Sequence, residues 1–162
     1  MESLIYSLFA GLSTSLGVVL LFLFGKPSSK VLATLLGFAG GIMMGISVFE
    51  LMPESLKIGT IQSTVIGFIL GAGMMYGLDH VVPHGHMSGT DDLVTENPGN
   101  LHEMSNPLLR TGYLILFGIA LHNLPEGLAI GAGLESSREL GIFIAAAIAV
   151  HNVPEGLAMA GP

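Results

Sequence analysis

Two stretches of this chain place the same polar groups inside otherwise apolar sequence. Leu121 to Gly133 reads L-H-N-L-P-E-G-L-A-I-G-A-G, and from Val150 the chain reads V-H-N-V-P-E-G-L-A-M-A-G. The shared pattern is H-N-x-P-E-G-L-A at an offset of 29 residues. Imidazole, amide and carboxylate are nitrogen and oxygen ligands without sulfur, a set that suits Zn²⁺, Fe²⁺, Mn²⁺ or Ni²⁺. His122 and Glu126 are i and i+4 and share one helix face, as do His151 and Glu155. Asn123 and Asn152 add amide oxygens about 100° round each helix, the step of one residue in a 3.6-residue turn.

The elements that hold these groups are membrane spans. The chain has 162 residues, 51% hydrophobic and only 10% charged, with mean hydropathy +0.73. Soluble domains carry about 25% charged residues. A hydrocarbon core of about 30 Å needs roughly 20 helical residues. Five segments qualify: Leu4–Phe24, Val31–Met52, Ile58–Leu78, about Leu108–Leu134, and Leu140–Ala160. The expected fold class is an all-α membrane protein, a polytopic helical bundle, forming one transmembrane domain over residues 1–162. The first segment does not read as a typical cleavable signal peptide: Glu2 precedes it, it lacks a basic start, and its apolar run is too long.

The two motifs fall in the fourth and fifth segments, near mid-helix, where polar groups are most costly in a bilayer. A short connection, Glu135–Glu139, makes those helices antiparallel neighbours. Four residues rise about 6 Å. His122 then comes level with Glu155, and Glu126 with His151. The two levels have room for two divalent cations with bridging carboxylates. Pro125 and Pro154 each remove a helical N–H, freeing the carbonyls of Leu121 and Val150. Gly127 and Gly156 leave space beside each Glu. The competing reading is a hydrogen-bonded His/Asn/Glu network that only fixes helix packing.

The connection 83–107 holds Asp91, Asp92, Glu96 and Glu103 among Gly, Asn, Ser and Pro, and is expected to be a flexible loop. Lys26 and Lys30 share the first turn, which the positive-inside rule places in the cytoplasm. The amino terminus is then extracytoplasmic and the 83–107 loop cytoplasmic. Glycines four apart, at 37, 41 and 45, at 67 and 71, and at 73 and 77, read as faces for close helix approach.

Further polar groups mark a metal entrance or exit. Glu50 and Glu54, in E-L-M-P-E, end the second segment on the outer side. Asp79, His80, His84 and His86 follow the third segment on the inner side, with His102 further along. Each also reads as an ordinary polar helix end or loop residue. Other functions are excluded or unsupported. No cysteine is present, so disulfides and thiolate sites are ruled out. A net charge of −7 offers no basic patch for nucleic acid. No G-x-x-x-x-G-K-[ST] nucleotide motif occurs, and no H-E-x-x-H. Nothing points to an organic cofactor.

At H-N-L-P-E-G and H-N-V-P-E-G the sequence resembles the ZIP (Zrt/Irt-like) family of divalent metal transporters, its bacterial zinc-uptake branch above all. The resemblance extends to G-F-A-G-G-I-M-M-G-I-S-V-F-E-L-M-P-E and to G-L-D-H-V-V-P-H-G-H. It implies a binuclear metal centre at His122, Asn123, Glu126, His151, Asn152 and Glu155. It also implies an extracytoplasmic amino terminus, a plasma-membrane (bacterial inner-membrane) location and a homodimer. Zn²⁺, with Fe²⁺ or other divalent ions, would pass to the cytosol as transported substrate. The family has eight transmembrane helices, so the chain is expected to correspond to the first five. The activity expected is transport rather than enzymatic catalysis; the rivals are an intramembrane metal-dependent hydrolase using the same ligands to activate water, and a metal-stabilised membrane scaffold.

Overall fold

The computed structural model describes residues 1–81, 84–87, 93–96 and 107–160, with side chains for 1–81, 109 and 112–160. The chain is all-α in its spans: α1 (Glu2–Phe24), α2 (Ser29–Gly45), α3 (Met52–Ile58), α4 (Ile61–Val81), α5 (Pro107–Ser136) and α6 (Arg138–Met159). A π-helical segment, Ile46–Leu51, joins α2 to α3, so that Ser29–Ile58 runs as one rod. Among the described residues, five helices are thus long and apolar enough to cross a membrane. Within the stretch expected to be a loop, β1 (His84–Met87) pairs antiparallel with β2 (Leu93–Glu96), His84 opposite Glu96.

Local chemistry sets the helix ends. Gly25 closes α1 at φ 78°, a backbone conformation that costs glycine nothing. Ser28 then caps α2, its hydroxyl accepting from the Val31 N–H at 3.4 Å. Ser137 caps α6 in the same way, accepting from Leu140 N–H at 3.1 Å. Pro53 has no N–H to give the carbonyl four residues back. The turn before it widens, and the Met52 N–H bonds Ser47 O instead. Single π-turns of this kind are common beside functional groups, and this one carries Glu50.

The chain forms two compact units, 1–60 with the stretch from Glu126 onward, and Ile61–Pro125. The second unit holds α4, the hairpin and the first part of α5. The first holds α1, the Ser29–Ile58 rod, the end of α5, and α6. Its core is Ala10, Ile46, Ile130, Ile144, Ala145 and Ile148. Leu4, Leu8, Leu12 and Leu16 of α1 are exposed, as expected for a lipid-facing side.

α1 and α6 come within backbone contact. A Cβ on Gly17 would stand 2.2 Å from the Val153 carbonyl oxygen, and one on Gly156 would stand 2.0 Å from that of Thr14. The stripes at Gly37, Gly41, Gly45, Gly67, Gly71, Gly73 and Gly77, expected to be packing faces, meet nothing within 4 Å among the described residues. Spacing alone does not distinguish a helix-contact stripe from a row of glycines facing outward.

Candidate metal centre

Both motif helices run unbroken through their prolines, Pro125 in α5 and Pro154 in α6. α6 is enclosed along the face that carries the motif: Ile144, Ile148, His151, Asn152, Glu155 and Gly156 are all buried. The periodicity is helical. Positions 144, 148, 151 and 155 fall on one face by i, i+4, i+7 and i+11. Apolar residues on that face meet the core, and the same geometry delivers His151 and Glu155 into it.

Glu126 is 3% exposed, His151 4% and Glu155 8%. His151 Nε2–H donates to Glu126 Oε1 at 3.0 Å, and the same nitrogen stands 3.9 Å from Glu155 Oε2. The level match expected between Glu126 and His151 is therefore present. One imidazole sits between two carboxylates, each offering a ligand atom within 4.8 Å of the others. With both carboxylates ionised, even a protonated imidazole leaves this group one negative charge in excess. Buried charge without balance is strongly disfavoured, and a divalent cation is a natural counterpart.

His122 stands one turn before Glu126 on the same helix and is exposed in this chain. Asn123 is half-buried, and its Oδ1 has no hydrogen-bond partner among the described residues. Asn152 is fully enclosed, with its Nδ2–H bonded to Ala10 O at 2.9 Å and its Oδ1 without a partner there.

The outlying residues divide. Glu50 is half-buried in the π-helical segment and is the one charged residue lining a cavity of about 390 Å³. Ile46, Phe49, Phe143 and Val150 make most of its apolar wall, Val150 directly preceding His151. Glu54 is engaged elsewhere: it accepts from Lys57 Nζ at 2.7 Å and from the Ser136 hydroxyl. It thereby ties α3 to the end of α5. Asp79 is half-buried near the end of α4. His80 is exposed, with Nδ1–H on Tyr76 O at 2.9 Å and its ring 4.2 Å from that of Tyr76. His84 and His86 lie in β1, but their side chains fall outside the described residues, and His102 lies outside them altogether.

Residues 100–162 match the family model described as ZIP Zinc transporter. The chain is 46% identical over 164 aligned residues to the zinc transporter ZupT of Escherichia fergusonii, covering 98% of this chain and 60% of that protein. It is also 46% identical to the ZupT proteins of Salmonella arizonae and Salmonella newport, with the same coverage. The chain is thus similar to ZIP zinc transporters, through the family model over residues 100–162 and through these relatives over 98% of its own length. It spans about 60% of the length of the ZIP relatives it matches. No solved structure matches it.

Two features of this chain were not legible as site chemistry. The Asn152–Ala10 bond joins residues 142 apart in sequence, and the Ser136–Glu54 bond joins residues 82 apart. No local pattern announces either pair. The one local sign lies in the polar run Ser13–Thr14–Ser15 in the middle of α1, whose Ser13 and Thr14 are buried.

Proposed function

We propose that this chain carries divalent metal, Zn²⁺ foremost and Fe²⁺ secondarily, across a bacterial inner membrane into the cytosol. The observation that carries the reading is the buried Glu126–His151–Glu155 group, two carboxylates flanking one imidazole nitrogen. His122, Asn123 and Asn152 complete a ligand set able to hold two cations. The relatives' names favour transport over the hydrolase. Glu50 and Glu54 lie on the entry side, and Asp79, His80, His84 and His86 on the exit side. The working unit is a homodimer.

Metal that binds only the folded state raises stability, by about 2.7 kcal/mol at a hundredfold excess over Kd. Purified protein should therefore melt several degrees higher with Zn²⁺, and proteoliposomes containing it should take Zn²⁺ up. A protein that neither retains Zn²⁺ nor gains stability from it would sink this reading.

The orientation we propose puts the amino terminus outside and the connection 83–107 inside, on the cytoplasmic face. The chain has no cysteine, which makes labelling clean. A cysteine at Ser28 should resist impermeant thiol reagents in intact cells, while one at the exposed Glu135 should label. The opposite pattern would reverse the direction of transport inferred from the loops.

A further inference from the structure

We propose that Asn152 is a positioning residue that ties α1 to the metal centre, its amide N–H holding the Ala10 carbonyl while its own oxygen remains for the cation. The inference rests on the metal reading above and adds to it a role for α1.

Asn152 is 0% exposed and directly follows His151. Its Nδ2–H donates to Ala10 O at 2.9 Å, and the Ser13 hydroxyl donates to the same oxygen at 2.5 Å. Two side chains, one from each helix, thus converge on a single carbonyl of α1. The amide can reach it because Gly17 and Gly156 bring the two backbones into contact. Asn152 Oδ1 is left without a partner among the described residues. An enclosed amide oxygen with no donor is costly, and a cation beside His151 and Glu155 removes that cost.

The two ends of a carboxamide are electronically joined. Coordination at oxygen draws density from nitrogen and makes each N–H a stronger donor, as linked hydrogen bonds polarise one another. Metal at Oδ1 should therefore tighten the hold on Ala10 O, and with it the seat of α1 on α6. Linkage makes the effect reciprocal: an α1 that is held in place favours the metal-bound state.

Amide hydrogen exchange of the purified full chain, with and without Zn²⁺, tests this. Residues 11–17 of the wild type should exchange about tenfold more slowly with Zn²⁺, within the range usual for coupled sites. Asn152→Asp keeps an oxygen ligand and loses the donor. At Zn²⁺ concentrations that load the variant by metal analysis, Zn²⁺ should no longer slow exchange in α1. A merely structural Asn152 would alter α1 exchange equally with and without metal, so the Zn²⁺-dependent difference is the diagnostic quantity. The proposal is overturned if Asn152→Asp shows the wild-type difference, or if the wild type binds Zn²⁺ with no slowing in α1. That wild-type arm decides the matter even if the variant fails to fold. Metal analysis finding no Zn²⁺ on the wild type would instead strike the metal reading, and this inference with it.

Discussion

Glu126→Gln and Glu155→Gln should each strip the protein of bound Zn²⁺ while leaving its helices folded. Glutamine keeps the size of the side chain and one acceptor oxygen. It can therefore still accept from His151 Nε2–H, which Glu126 now receives at 3.0 Å. What it removes is one of the two negative charges beside a buried imidazole. A divalent cation enclosed there needs those charges to offset the cost of leaving bulk water. Loss of an outer-shell partner alone costs about 10–100-fold in metal affinity. Loss of a charged ligand should cost more, enough to empty the centre during purification. His151→Ala should do the same, since imidazole is the best Zn²⁺ ligand in the set. The packing-only reading predicts a different order. A neutral amide would suit a buried network at least as well as a carboxylate, so stability would hold or rise without any change in metal. Metal content per protein, with melting temperature measured with and without Zn²⁺, separates the two. Glutamine variants that retain wild-type metal, from a protein that Zn²⁺ does not stabilise, would end the metal interpretation.

The spans were legible because the physics that specifies them is local. About twenty apolar residues in a row suffice to cross a bilayer, and the five observed helices fall on the five expected segments with shifts at their ends. The approach of Glu126 to His151 was legible too, since two antiparallel helices with a known turn fix which levels meet. What failed to show was whatever depends on rotation of one helix about its axis. The stripes from Gly37 to Gly77 have the right spacing for close packing, yet face no neighbour among the described residues. Glu54 looked like a free entrance carboxylate because Ser136 is remote in sequence, but the two are bonded. The π-helical turn at Ile46–Leu51 is explained by Pro53 only once the Met52 N–H is seen to bond Ser47 O. Gly156 was read as room for Glu155, whereas the atoms it makes room for belong to Thr14 of α1.

That last point separates the two copies of the motif, which are identical at this position in sequence. Gly127 and Gly156 both follow the motif glutamate. Among the described residues, a Cβ on Gly127 would find only the Ser7 hydroxyl, at 3.9 Å, an ordinary contact distance. Gly127→Ala should therefore be neutral or mildly stabilising, by up to about 1 kcal/mol, since alanine is the better helix former. A Cβ on Gly156 would lie 2.0 Å from Thr14 O and 2.8 Å from Thr14 C. Both atoms are backbone, so no change of rotamer relieves the clash, and Thr14→Ala should not rescue it. The only relief is for α1 to move off α6, which breaks the Asn152–Ala10 bond and opens the packing around Ala10. Overpacked cores lose about 1–3 kcal/mol, and a displaced helix should fall at or beyond the upper end of that range. Gly156→Ala should thus lower the melting temperature sharply and reduce Zn²⁺ retention, with Gly127→Ala doing neither. Equal tolerance at the two positions would mean that α1 does not lie against α6 at Gly156. The close approach would then have to be abandoned, along with the route by which α1 reaches the metal centre.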